Sequence, residues 1–182
     1  MELISPNRYN IRFTDTFFFD TNIWLLLFGT VANFQKEDQK DYSSFLQQLL
    51  SKKNSIYLTS MIISEFANVL LRKDFKQWIL VNKLVGKEFK ADFVGTNEYK
   101  KSVSVISSLI NKIISLPNVL RVSDEFTNIN ISNILQRFEE IDFNDAYYVE
   151  LATTRGYIMV SNDKDFIKIK PNLMIISTQK II

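Results

Sequence analysis

The chain has 182 residues, 46% of them hydrophobic and 23% charged, with a formal net charge of +2. That length gives one domain with a substantial core, and the composition argues against disorder. There is no cysteine and no histidine, which excludes disulfides, thiolate chemistry, imidazole bases and His/Cys zinc sites. Catalysis, if present, runs on carboxylates, hydroxyls, amides, Lys, Arg, Tyr or a bound metal.

Residues 1–15 read as a short lead-in without a clear pattern. The start, Met1 to Pro6, lacks the basic region and apolar core of a signal peptide. Thr16 to Phe19 predicts a strand buried on both faces, because three consecutive phenylalanines leave neither face polar. Asp20, Thr21 and Asn22 follow at its carboxyl end, then the helix-compatible run Ile23 to Phe28, closed by Gly29 as a C-terminal cap. The apolar region Phe17 to Phe34 is interrupted by Asp20, Asn22 and Asn33, so it predicts no membrane span. A cytoplasmic location is the expectation.

Asn33 to Lys40 reads as a loop. Asp41 to Lys52 has helical spacing in Tyr42, Phe45, Leu46, Leu49 and Leu50. Ile56 to Leu58 predicts a short strand, with Thr59 and Ser60 offering an N-cap for an amphipathic helix from Met61 to Lys73. Asp74 to Leu116 is the stretch with the weakest pattern. Trp78 to Val85 suggests helix, and Glu98 to Ser115 is a better one. A strand is expected at Val119 to Val122 and a helix at Phe126 to Phe138. A further helix begins near Asp142 to Asn144 and ends at Arg155, capped by Gly156. Tyr157 to Val160 and Leu173 to Ile176 predict the last strands.

Strands separated by helices imply βαβ units and a mainly parallel sheet covered on both faces, an α/β fold in three α/β/α layers. No repeat, low-complexity tract or linker is visible, so the chain reads as a single domain over 1–182 with a helical insertion at about 74–116.

Four acids fall at strand ends or helix starts: Asp20, Glu65, Asp145 and Asp163. In a parallel sheet these positions share one rim, where ligands bind. Each has a plainer reading. Asp20 or Asn22 caps a helix; Glu65 borders the apolar face and could line the surface with Arg72. Asp145 is a favourable first-turn acid, and Asp163 a turn residue. Asp142 and Asp165 read as cap and turn. Four such positions on one rim favour a site. Gathered carboxylates repel, and a divalent cation relieves the repulsion. Oxygen-only ligands select Mg²⁺ or Mn²⁺ over Zn²⁺, and such a site suits hydrolysis of a phosphodiester. With four acids in one pocket, the remaining surface is more basic than +2 indicates.

These segments resemble the PIN domain, the family of metal-dependent ribonucleases that includes the VapC-type toxins of toxin–antitoxin pairs. The resemblance rests on Phe-Phe-Asp20-Thr-Asn22-Ile-Trp, Ile-Ser64-Glu65-Phe-Ala-Asn, Asn144-Asp145-Ala146, and Val-Ser161-Asn-Asp163-Lys-Asp165-Phe166, in that order. It implies catalytic, metal-binding roles for Asp20, Glu65, Asp145 and Asp163, with polar helpers at Thr21 or Asn22 and at Ser161. It also implies Mg²⁺ or Mn²⁺ as cofactor, RNA as substrate and, for a toxin, a cognate antitoxin protein as partner; PIN relatives are often homodimers. The chain departs from the family in having Ser161 where Thr is commoner, and in its extra length between Asp74 and Leu116.

Arg72, Lys73, Lys76 and Lys164 are candidate RNA contacts, with solvated surface charge as the alternative role. A haloacid-dehalogenase-type phosphatase needs a second Asp two residues after the first, and position 22 is Asn. A receiver-type phosphoacceptor needs an early acidic cluster that is missing. No Gly-x-Gly-x-x-Gly exists for a dinucleotide. The remaining alternative from another class is a non-catalytic PIN-like scaffold that binds RNA or protein.

Overall fold

The computed structural model describes residues 2–29, 36–169 and 171–179. Among these, six strands form one wholly parallel sheet in the order β1-β6-β5-β2-β3-β4. They are β1 (Glu2–Ile4), β2 (Thr16–Phe19), β3 (Ser55–Leu58), β4 (Val119–Arg121), β5 (Ile158–Val160) and β6 (Met174–Ile176). The helices between them are α1 (Thr21–Phe28), α2 (Lys36–Ser51), α3 (Ser60–Val81), α4 (Asn97–Ile114), α5 (Ile131–Phe138), α6 (Phe143–Arg155) and α7 (Asp165–Ile169). A π-helical turn, Phe89–Phe93, lies between α3 and α4.

The central strand shows why the fold has three layers. Phe17, Phe18 and Phe19 are all fully buried, and successive side chains leave a strand on opposite faces. Phe17 packs edge-on against Phe45 of α2 at 5.7 Å, and Phe18 against Tyr148 of α6 at 5.5 Å. Each face therefore needs its own helical cover, and the helices that connect the parallel strands supply it. Helix α6 has its residues buried from Asp145 through Ala152, so it has no solvent face over that span. Its end is fixed by Gly156, whose φ of 67° is the left-handed cap that favours glycine. Gly29 closes α1 for a different reason: a Cβ there would meet the Leu25 carbonyl oxygen at 2.4 Å.

The structure departs from the sequence expectations at several points. The lead-in contains β1, an edge strand paired to β6; three residues are too few to show a period of two. The expected loop over 33–40 is helical from Lys36 onwards, and its first part lies outside the described residues. The helix expected to stop at Lys73 continues to Val81, because Phe75 and Trp78 pack on Phe93 at 5.5 and 5.3 Å. A second, aromatic cluster thus carries the helix beyond the main core. The helix expected from Phe126 starts at Ile131. Residues 126–129 turn instead, with the Asn128 N–H donating to the Glu125 carbonyl at 2.8 Å, and Asn130 supplies the cap by accepting from the Ser132 N–H. The stretch 74–116 comprises the second half of α3, the π turn and α4.

The chain reverses direction across the sheet between β2 and β5, which pair in parallel from Phe17–Ile158 to Phe19–Val160. Such a switch point leaves a crevice at the carboxyl ends of the two strands. Asp20 follows β2, and Ser161 to Asp163 follow β5.

Candidate functional site

Asp20 caps α1 and does more than cap it. Its Oδ1 accepts the Thr21 N–H at 2.6 Å, and its Oδ2 accepts the Ser161 hydroxyl at 2.7 Å. The residue is 3% exposed. Burial pushes its carboxyl up to about 7, and the charges of Glu65 and Asp163 add to the rise; the bonds from Ser161 and Thr21 oppose it.

Ser161 is fully buried at the end of β5. Its hydroxyl donates to Asp20 and accepts from the Asn22 amide at 3.2 Å and from the Asp163 N–H at 3.0 Å. Asn22 in turn accepts the Asn162 N–H at 3.3 Å. Sequence reasoning placed Asn22 and Ser161 as helpers, and the structure puts them in direct contact across the β2–β5 junction.

Glu65 sits on the second turn of α3 and is half-buried. Its Oε2 accepts from the Thr21 hydroxyl at 2.9 Å, the Tyr148 hydroxyl at 2.8 Å and the Asn144 amide at 3.4 Å. Two elements, α1 and α6, therefore converge on one carboxylate oxygen of a third, α3. Arg72, with which Glu65 could have lined the surface, is exposed, its guanidinium 4.1 Å over the Phe89 ring, while Glu65 turns to the partners just named.

Asp145 stands in the first turn of α6, which Asp142 caps by accepting the Asp145 N–H at 3.0 Å. Among the described residues its own carboxylate takes part in no hydrogen bond. Burial pushes that carboxyl up to about 8, and Asp20, Asp142, Asp163 and Glu65 all raise it further. Asp163 is half-buried. Its Oδ1 accepts the Asp165 N–H at 2.8 Å, the turn use that the sequence allowed, while its charge reaches Asp20 and Asp145.

Among the described residues, no three acids are arranged as a ready set of metal ligands. Glu65, Asp20 and Asp163 are instead tied to hydroxyls and backbone N–H groups. None of the ion pairs seen there involves these four carboxylates. The donor chemistry fits a hard divalent cation: oxygen only, mutually repelling, and buried enough that Asp20 and Asp145 resist ionisation without one.

Sequence reasoning missed Tyr148. Burial, then the Glu65 charge, pushes its phenol up, so it acts as a donor. Its place three residues after Asp145, on the same helix face, was the available signal. It also missed Asn162, which accepts from Tyr42 at 3.2 Å and Thr178 at 2.7 Å and donates to Asp38 at 3.2 Å. Asn162 fastens α2 and the end of β6 to the junction.

The PIN domain family model matches residues 17–171. The chain belongs to the PIN domain family. The match takes in all four acids and both helpers. A solved structure of VapBC2 from Rickettsia felis bound to a DNA fragment from their promoter superposes with a TM-score of 0.54 at 16% identity, covering 90% of this chain and 99% of that one. At that identity the likeness is one of PIN fold. No curated protein sequence matches the chain. Among the described residues, no helix of this PIN domain is long and apolar enough to cross a membrane.

Proposed function

We propose that this PIN domain is a Mg²⁺- or Mn²⁺-dependent endoribonuclease whose metal-holding and catalytic residues are Asp20, Glu65, Asp145 and Asp163. The observation that carries the reading is the pair Asp20 and Asp145. Both are buried carboxylates from distant elements with raised pKa values; the Asp20 charge adds to the rise at Asp145, and Glu65 and Asp163 add to both. A protein gains nothing in stability from such an arrangement, whereas a cation site requires it. When bound, the ion supplies electrophilic stabilisation to a phosphodiester undergoing hydrolysis.

The chain's own residues prepare that site. The Ser161 hydroxyl and the Thr21 N–H hold the Asp20 carboxylate by both oxygens and favour its charged form. Thr21, Tyr148 and Asn144 fix Glu65 through one oxygen and leave the other. Such outer partners orient ligands and tune their basicity. Asp145 has no such tether, so its carboxylate is the one that turns to a cation at least cost.

On the same reading the protein serves as the toxin of a toxin–antitoxin pair. The VapBC2 likeness and the family support that placement, and an antitoxin segment would then cover the carboxylates. RNA is the substrate, and the 74–116 stretch is an insertion within a single domain. The test is cleavage of structured and unstructured RNA with Mg²⁺, with Mn²⁺ and with EDTA. The reading predicts cleavage with either metal, none in EDTA, and none by Asp20→Asn or Asp145→Asn. Cleavage that persists in EDTA contradicts it.

A further inference from the structure

A cluster of carboxylates repels the polyanion it is proposed to cut. Attraction must come from cations displaced from the acids yet on the same surface. Helix α3 offers them. Beside Glu65 lies a concavity of about 460 Å³ that extends to Asn68 and Val69. These two residues also bound a second concavity of about 410 Å³, which ends at Arg72, Lys73 and Lys76. The two are therefore one trough, acidic at one end, uncharged in the middle and basic at the other.

The sequence builds this trough from one helical row. Asn68, Arg72 and Lys76 recur at every fourth position and are exposed, and at 3.6 residues per turn Glu65 falls on the side of the helix they span. Side chains at that spacing share a face. From Glu65 to Lys76 the helix rises about 16 Å, the reach of a few nucleotides. Arg72 is held by the stretch that the sequence set apart: its guanidinium rests on Phe89 of the π turn. Stacking on a ring face leaves the N–H edges of a guanidinium available to a phosphate.

Resting on the nuclease reading above, we propose that this face of α3 is a phosphate track for single-stranded RNA. The strand passes Glu65 and runs to Arg72 and Lys76, and Phe89 acts as a positioning residue for Arg72. The track reads charge and not bases. Among the described residues its lining holds hydroxyls, amides and the aliphatic Met61 and Val69 but no aromatic ring on which a base could stack, and the face of Phe89 is already taken by Arg72. Sequence choice must then lie elsewhere.

The test is binding of fluorescein-labelled oligouridine and of a mixed-sequence RNA to the full chain in EDTA across a salt series. For a single strand, each lost phosphate contact lowers the slope of log K against log salt by about 0.7. Arg72→Ala with Lys76→Ala should lower it by about 1.4 and weaken both RNAs alike. In Mg²⁺ the same pair should raise KM for long RNA, spare kcat, and leave cleavage of a dinucleotide unchanged. Phe89→Leu should weaken binding in the wild type and have no further effect once Arg72 is alanine. The control pair Lys100→Ala with Lys101→Ala, on α4, should leave the slope unchanged.

An unchanged slope in a protein that still cleaves RNA overturns the track and leaves the nuclease reading standing. An equal fall with the control pair also overturns it. So does polyglutamate competing as well as RNA, which would assign the face to an acidic protein. A wild type that neither binds nor cleaves RNA defeats both proposals.

Discussion

Two carboxyl groups set the behaviour expected at the scale of single residues. Asp20 and Asp145 bind protons in the folded, metal-free protein up to about pH 7 and 8, whereas unfolded they release them near pH 4. Between those limits the folded state holds more protons than the unfolded one, so stability falls as pH rises. Thermal unfolding in EDTA should therefore give a Tm that declines from about pH 5 to about pH 8. Metal binding competes with those protons, so the stabilisation by Mn²⁺ should grow over the same range. A Tm in EDTA that rises over this range would mean the two acids are not buried against each other. Tyr148 tests the outer partners. Tyr148→Phe removes one of three donors to Glu65 Oε2 and keeps the ring against Phe18. It should cost about 1–2 kcal/mol in urea unfolding and weaken Mn²⁺ affinity by about tenfold or more.

At the scale of elements, local chemistry was legible and tertiary chemistry was not. Gly29, Gly156, Thr59 and Asp142 could be read as caps because a cap depends on its own turn and its near neighbours. Phe17 to Phe19 could be read as a central strand because burial on both faces leaves its mark in consecutive residues. Trp78 to Val85 suggested helix, but its continuity with the helix before it could not be read, since Phe75 and Trp78 are held by an aromatic cluster whose other rings lie beyond residue 88. The hydrogen bonds that gather Thr21, Tyr148 and Asn144 on Glu65 were equally hidden, since they join positions up to 83 apart. So was the clamp between α5 and α6. Glu150 is 4% exposed and takes Arg137 at 2.6 Å and Asn133 at 3.0 Å. Arg137→Met should leave that carboxylate without its cation and cost about 2–3 kcal/mol, below the full range for a buried pair because Arg137 is partly exposed. Circular dichroism against urea checks it, and RNA cleavage below the transition should be retained.

At the scale of the whole molecule, sheet order gives the acids their meaning. Parallel strands place every strand end on one rim, and the reversal between β2 and β5 opens the crevice where Asp20 meets Ser161. Helices α3 and α6 bring Glu65 and Asp145 to the same crevice, so the charge of Glu65 acts on Asp20 and on Asp145, and that of Asp20 on Asp145. The central claim is that this convergence exists for a cation, and Asp145→Asn tests it by sign. A plain first-turn acid would cost up to about 1 kcal/mol on removal, through the helix dipole. An acid facing three others should behave oppositely. The measurement is thermal unfolding of wild type and Asp145→Asn, each in EDTA and in Mn²⁺. The account predicts that the variant matches or exceeds the wild-type Tm in EDTA and loses most of the Mn²⁺ stabilisation. A variant that is less stable in EDTA yet keeps the full Mn²⁺ response would contradict it.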